Sequence, residues 1–252
     1  MGEYRPPFAI TDEILFYVSS ISEKIGRITA ANNLDAKPHL RKNNRIKSIH
    51  SSLKIEANSL SLGQVRDVIN GKAVLGQQKE IQEVKNAYAA YDRISEINPY
   101  SIEDLKKFHG IMTKYIVEES GDFRRGEEGV FSGEQCIFMA PPARLVPALM
   151  EDLFSWMREA QGHVHPLILS SVFHCEFVFI HPFSDGNGRM ARLWHTDGAS
   201  TVFIEFMLAQ IDKILDDISV QIQTGDEQLS EYVRKLLDVI EILLLAVIAS
   251  IY

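Results

Sequence analysis

The sequence predicts a mostly α-helical fold with one β-hairpin. Apolar residues recur at helical spacing along most of the chain, and glycine and proline interrupt that spacing most strongly in residues 121–142. Within this segment, residues 130–131 and 136–138 are short β-prone runs, and Ser132-Gly133-Glu134 between them is typical of a hairpin turn.

The helices are predicted in order along the chain. Apolar side chains in residues 11–31 fall on one face, and Thr11 is a suitable N-cap. Ser101 and Asp104 have the spacing of a capping box, which predicts a helix start at this point. Further helices are predicted over residues 39–56, 59–69, 78–97, 145–160 and 166–180, the last of which is apolar on nearly all sides and therefore central.

Composition and charge exclude several classes of protein. The 252 residues carry a net charge of −8, which argues against broad electrostatic binding to nucleic acid or to an anionic membrane. Cys136 and Cys175 are the two cysteines, so neither a disulfide framework nor a cysteine-rich zinc site is expected. The apolar run 241–252 is shorter than the roughly 20 residues that span a bilayer. We expect a protein of the reducing cytoplasm.

The most informative stretch is residues 181–192, which read HPFSDGNGRMAR and lead from an apolar run into a new helical pattern. Gly186 and Gly188 allow a backbone turn in which N–H groups converge on phosphate oxygens at a helix start. Arg189 and Arg192 lie three positions apart, close enough on one helix face to clamp a further phosphate. The stretch therefore predicts a polyphosphate site.

Two more residues of this stretch add chemistry to the phosphate site. Asp185 supplies a hard oxygen ligand that suits Mg²⁺, and His181 has an intrinsic pKa that suits a general base. Together with the arginines, they predict attack on a polyphosphate with its charge neutralised by protein and metal. The other histidines, His109 among them, lack metal-ligand spacing and are expected in surface or packing roles.

At every fixed position, residues 181–192 match HPFx[D/E]GNGRxxR, the signature of Fic domains. The resemblance covers about residues 40–195. It implies a helical bundle with a hairpin flap, and transfer of AMP from ATP to a hydroxyl of a target protein with release of pyrophosphate. It also implies that His181 deprotonates a Ser, Thr or Tyr hydroxyl, and that Asp185 binds Mg²⁺ against the α- and β-phosphates. Asn187 and the loop amides would hold the α-phosphate, with Gly186 and Gly188 giving backbone access.

The resemblance also assigns the remaining parts of the site. Arg189 would meet the γ-phosphate and Arg192 the β-phosphate, whereas Phe183 would anchor the loop in the core. The hairpin resembles the flap that positions the target chain by strand addition. Its predicted target-positioning residues are Val130, Phe131, Cys136, Ile137 and Phe138.

An upstream segment resembles the inhibitory motif of class II Fic proteins, [S/T]xxxE[G/N]. Ser52 and Glu56 occupy its fixed positions, and Ala57 stands where the motif has Gly or Asn. The resemblance implies that Glu56 pairs with Arg189 and takes the charge partner that the γ-phosphate needs, with Ser52 hydrogen-bonding near that pair. The chain is thus expected to be autoinhibited.

The predicted organisation has three parts. Residues 1–37 form an N-terminal helical region, residues 38–215 form the Fic core with its inhibitory helix 38–58, and residues 216–252 form a helical extension, a candidate remnant of a winged-helix module. The expected partners are ATP and a protein with a Ser, Thr or Tyr hydroxyl, and a homo-oligomer stays open. The alternatives are removal of AMP from proteins, another Fic-type nucleotidyl or phosphoryl transfer, and a non-enzymatic nucleotide-sensing transcriptional regulator.

Overall fold

The computed structural model describes residues 4–31, 38–132 and 135–194, together with residues 208–216 except 210 and 214. Of the predicted extension 216–252, residues 217–252 lie outside the described residues. In chain order the helices are α1 (Asp12–Ala31), α2 (Pro38–Ile55), α3 (Leu62–Ile69), α4 (Gln78–Asp92), α5 (Ile102–Met112), α6 (Val146–Ala160), α7 (Pro166–Ile180) and α8 (Asn187–Trp194).

The prediction of a mostly helical fold is confirmed. The predicted start of α5 and both predicted bounds of α7 agree with the structure. Helix α7 has its predicted bounds, capped by His165, whose Nδ1 accepts a hydrogen bond from the N–H of Leu167. Helix α5 is capped by Ser101, whose hydroxyl accepts from the N–H of Asp104. The reciprocal half of that predicted capping box is missing, because the Asp104 carboxylate accepts from the N–H of Asn98 instead.

Two predicted helices are shorter than expected. Helix α3 begins at Leu62 rather than at residue 59, because Ser61 and Gln64 form a complete capping box there. Helix α4 ends at Asp92 rather than at residue 97, and a separate 3₁₀ turn covers Ile94–Glu96.

The core is built around α7. Its large side chains Phe173 and Phe177 are almost completely buried, with Phe154 of α6 packing edge-on against Phe173. Helix α8 packs against α7, α5 and α2. This arrangement brings residues 181–192 next to the C-terminal end of α2, although the two segments are far apart in sequence.

The hairpin consists of β1 (Gly129–Ser132) and β2 (Gln135–Met139), which pair antiparallel with a bulge between Val130 and Phe131. Of the five predicted flap residues, the side chains of Val130, Phe131, Cys136 and Ile137 lie outside the described residues. The ring of Phe138 packs 5.8 Å from that of Phe179, near the end of α7. The hairpin is thereby held beside the loop that follows α7. Among the described helices, none is long and apolar enough to cross a membrane.

Candidate active site

The loop between α7 and α8 is closed by its own side chains. Phe183 is completely buried, and its N–H and carbonyl both bond to the side-chain amide of Asn187, at 2.9 and 2.6 Å. This exchange closes the loop and places Asn187, the first residue of α8, beside Phe183. Phe183 is an anchor, as predicted, whereas the contact of Asn187 with an α-phosphate stays a prediction.

Gly186 is required by both backbone conformation and space. Its φ of 82° lies in the left-handed region that favours glycine, and a Cβ there would lie 3.0 Å from Cγ2 of Thr113. The carbonyl of Gly186 accepts the N–H of Met190 at 2.8 Å, which begins the helical hydrogen bonding of α8. The N–H groups of the first turn of α8 have no acceptor within the helix itself, which makes them available to an anion.

His181 sits at the C-terminal end of α7 in the left-handed conformation, with φ 50° and ψ 60°. Burial lowers the pKa of its imidazole, and the nearby guanidinium of Arg124 lowers it further. A backbone hydrogen bond to Val178 and the carboxylates of Glu128 and Glu56 act in the opposite direction and only partly offset this shift. The ring is therefore mainly neutral at pH 7. A neutral imidazole can accept a proton, which is the state that a general base needs.

Asp185 and Arg189 form an ion pair, with Nη2 of Arg189 2.7 Å from Oδ1 of Asp185. Burial opposes ionisation of Asp185, but Arg189 and the N–H of Gly186 outweigh it and hold the pKa of this carboxyl below its usual range. Asp185 is therefore an ionised oxygen donor. Among the described residues, no group of three or more His, Cys, Asp or Glu could hold a metal ion on its own.

Arg189 is nearly buried, with a side chain 3% exposed. Its Nη1 lies 3.7 Å from Oε1 of Glu83 in α4. Within the described part of the chain, its buried Nε and Nη1 atoms have no hydrogen-bond partner. Buried donors without acceptors are costly, so Arg189 has donors available for a ligand.

The end of α2 places Glu56 against α8. The N–H of Asn58 bonds to the carbonyl of Leu53 and the N–H of Ala57 to that of Lys54, which is the Schellman arrangement. Ala57 takes the left-handed position with φ 64°, where glycine is the favoured residue. The missing glycine of the inhibitory motif therefore leaves the helix end intact, and Glu56 is its last residue before the reversal.

Glu56 pairs with Arg192, which corrects the predicted pairing with Arg189. Oε1 of Glu56 lies 2.5 Å from Nη2 of Arg192. Ser52 completes the contact, since its hydroxyl accepts from Nε of Arg192 at 3.0 Å and its carbonyl from Nη2 at 3.1 Å. The physical reason is that Arg189 points into the interior towards Asp185 and Glu83, whereas Arg192, one turn later, faces α2.

The Glu56 carboxylate also occupies the approach to α8. A Cβ added to Gly188 would collide with the carboxylate of Glu56 and would lie 3.0 Å from Nη1 of Arg192. Glu56 thus lies against the first turn of α8, the place where an anion is stabilised by free N–H groups and by the helix dipole.

A further link fastens the end of α2 to α4. The buried side-chain amide of Asn58 donates to Oε2 of Glu83 at 2.8 Å and to the carbonyl of Glu80 at 3.2 Å. Glu83 also faces Arg189. The carboxylate of Glu83 therefore contacts both Asn58, where the chain reverses after Glu56, and the buried Arg189. Sequence reasoning did not identify this link.

Two other residues support the loop: His109, whose expected role was at the surface or in packing, and Arg124, which sequence reasoning did not single out. His109 is completely buried in α5 and stacks on Phe183 with ring centroids 3.7 Å apart. Its Nδ1 accepts from the N–H of Gly121, so Nε2 carries the proton and donates to the carbonyl of Asp185 at 3.0 Å. Burial lowers its pKa to about 4. Arg124, also buried, bonds to the carbonyl of His181. Their partners here are backbone groups, which every residue has, so no motif could reveal them.

Known proteins resemble the chain in sequence and in structure. A model of the Fic/DOC family matches residues 99–196. The protein adenylyltransferase Fic of Aedes aegypti is 30% identical over 158 residues, which are 59% of this chain and 30% of that relative. The relative from Culex quinquefasciatus, of the same name, is 32% identical over 157 residues, again 59% and 30% of the two chains. The chain therefore spans about a third of the length of these curated relatives.

Solved structures extend the likeness to more than nine tenths of the chain. A Fic family protein from Desulfovibrio desulfuricans superposes with a TM-score of 0.72 at 38% identity, covering 97% of this chain and 77% of that one. Fic-1 from C. elegans shares the fold, with a TM-score of 0.59 at 21% identity over 91% of this chain and 71% of that one. The extent and identity of the first match, together with the signature loop, show that the chain belongs to the Fic family.

Proposed function

We propose that this chain transfers AMP from ATP to a Ser, Thr or Tyr hydroxyl of a protein and to itself, and that Glu56 inhibits the transfer. The observation that carries the proposal is one juxtaposition. His181 stands at one end of the loop, and the start of α8 with Arg189 and Arg192 stands at the other. Curated relatives named protein adenylyltransferase support the choice of AMP.

The chemistry requires one proton transfer and one displacement at phosphorus. His181 takes the proton of the target hydroxyl while its oxygen attacks the α-phosphorus of ATP. The bond from that phosphorus to the oxygen bridging to the β-phosphate breaks, and pyrophosphate leaves. The N–H groups of α8 and the unused donors of Arg189 would stabilise the charge that develops on the phosphate oxygens.

A magnesium ion fits the site as part of the substrate complex. Asp185 is ionised and accessible, and Mg²⁺ is commonly bound through one or two carboxylates plus substrate phosphates. Asp185 would hold the ion there, where its charge neutralises the leaving pyrophosphate.

The inhibition follows from the position of Glu56. Its carboxylate lies at the helix start that the phosphates need, and it neutralises Arg192. The β-phosphate, which Arg192 is expected to meet, would have to displace a fixed negative charge before it could use this arginine. We propose that ATP then binds in a pose in which the α-phosphorus is not aligned for attack.

The same carboxylate supports removal of AMP as a second candidate function. Glu56 lies close enough to His181 to influence the pKa of its imidazole. A carboxylate held beside the phosphate site could orient a water that attacks the phosphorus of an AMP-modified protein, releasing AMP and restoring the hydroxyl.

Intact-protein mass spectrometry would test the transfer. Wild type, Glu56→Gly and Glu56→Gly/His181→Ala are incubated with Mg²⁺ and ATP, GTP, CTP or UTP separately. We expect an AMP-sized adduct on Glu56→Gly with ATP and none on the double variant. An adduct that persists without His181, or a preference for another nucleotide, would contradict the proposal. Loss of AMP from a pre-modified protein with wild type, and not with Glu56→Gly, would favour the second function.

A further inference from the structure

Arg124 is a buried cation whose described hydrogen-bond partners are all backbone carbonyls. The residue is 2% exposed, and the ion pairs of the described residues do not include it. Its Nε donates to the carbonyl of His181 at 2.7 Å and its Nη1 to that of Gly126 at 2.8 Å. Its Nη2 donates to Pro141 at 2.5 Å and to Ile180 at 3.4 Å. A charge is tolerated in the interior when its donors are satisfied in this way.

These carbonyls belong to two different parts of the site. Ile180 and His181 end α7 and begin the signature loop, whereas Gly126 precedes β1 and Pro141 follows β2. The N–H of Arg124 adds a third contact to the loop, at 2.9 Å from the carbonyl of Pro182. One side chain therefore fixes the distance between the histidine and both ends of the hairpin.

The backbone of His181 needs such support. A non-glycine residue with φ 50° is unfavourable by itself and persists where the surroundings hold it. The N–H of His181 is held by the carbonyl of Phe177 at 2.9 Å, and its carbonyl is held by Arg124. The direction of the imidazole follows from this peptide, since both leave the same Cα.

We propose that Arg124 is a positioning residue for AMP transfer, which sets the direction of the His181 imidazole and its distance from the hairpin. The inference rests on the proposed function and adds a residue to it. Among the described residues, the hydrogen bonds of Arg124 reach neither the α8 start nor the phosphate arginines. Its loss should therefore impair proton abstraction and leave ATP binding nearly unchanged. Its charge also helps to keep the imidazole neutral.

The test compares Arg124→Met and Arg124→Lys in the Glu56→Gly background. For Met we expect kcat to fall by about 100-fold, the loss typical of a misplaced catalytic group, with the KM for ATP within about twofold. Lys retains the charge and reaches some of the carbonyls, so about a tenth of the rate should remain. Phe154→Leu, in the core between α6 and α7, controls for destabilisation and should keep kcat within about threefold at a similar loss of Tm.

A second measurement does not need an active enzyme. The His181 imidazole is titrated by NMR in wild type and Arg124→Met, with its signal assigned from His181→Ala. The charged groups that act on it are Glu128, Glu56 and Arg124. Removing Arg124 should raise the pKa of His181, because a positive charge that disfavours the protonated ring is lost. An unchanged titration together with an unchanged kcat would overturn the inference. Inactivity of Glu56→Gly itself would instead overturn AMP transfer, and the titration would still decide the role of Arg124.

Discussion

The carboxylate of Glu56 lies 2.5 Å from the guanidinium of Arg192, and this contact joins the end of α2 to α8 across 136 positions of sequence. It places a negative charge at the start of α8, where the proposed reaction needs phosphate. The Glu56 side chain is 30% exposed and that of Arg192 13% exposed, so the pair is accessible to displacement. Such a contact can inhibit without being a large contributor to stability.

Ser52→Ala should weaken the inhibition. The hydroxyl of Ser52 accepts from Nε of Arg192 at 3.0 Å. Without it, the hydrogen-bond partners of this guanidinium among the described residues are the Ser52 carbonyl and Glu56. A hydrogen bond of this kind contributes about 1 kcal/mol. Its loss predicts a rise of about three- to fivefold in the initial rate of AMP transfer. Ser22→Ala is the control, because that hydroxyl bonds within α1 to Val18. An unchanged or lower rate for Ser52→Ala would argue against this role.

Ala57→Gly should stabilise the protein. Ala57 has φ 64° at the helix-end position that favours glycine. Relief of the left-handed conformation, less the greater freedom of glycine in the unfolded chain, predicts a gain of about 0.5–1 kcal/mol in the free energy of unfolding. Urea denaturation measures it. Ala89→Gly, at an exposed position inside α4, should lower the free energy of unfolding by about 1 kcal/mol. The two substitutions are therefore expected to change the stability in opposite directions.

His109 should make stability depend on pH. Its pKa falls from 6.5 to about 4 in the folded state because it is buried, so folding favours the neutral ring. Its contribution is complete above pH 6.5 and is lost progressively as the pH falls towards 4. The full difference corresponds to about 3 kcal/mol.

The matched comparison is His109→Gln, which can hydrogen-bond but does not titrate. Unfolding free energies from urea denaturation are compared at several pH values between 7 and 4. Wild type should lose more stability than the variant over this window. His50, His165 and His181, whose pKa values are also lowered, contribute to both proteins alike. Parallel curves would show that His109 is not protected from protonation.

The sequence predicted the parts of the site that are contiguous. Residues 181–192 identify the loop because every chemical group lies within one turn or helix start. Ser52 lies in the last turn of α2, and Glu56 follows directly after that helix. Helix α7 was predicted with its observed bounds because Pro166 starts it and the apolar run ends at His181. Local sequence patterns were therefore sufficient to predict the loop, the segment from Ser52 to Glu56 and helix α7.

The partner of Glu56 could not be predicted in this way. Arg189 and Arg192 differ by three positions, and only the packing of α8 against α2 decides which of them faces the carboxylate of Glu56. The contacts of Arg124 and His109 with the loop could not be predicted for a different reason. Their partners there are backbone groups, which leave no pattern in the sequence. Tertiary contacts of this kind depend on the whole fold.

The measurement that tests the account most directly is the initial rate of AMP incorporation by wild type, Glu56→Gly and Glu56→Gln in one assay, with matched unfolding curves. We expect Glu56→Gly to exceed wild type by about 100-fold, because removal of a charged group that blocks a phosphate site is worth roughly 2–3 kcal/mol. Glu56→Gln, which keeps the shape and loses the charge, should lie between them. Equal rates for all three proteins would contradict the proposed inhibition by Glu56.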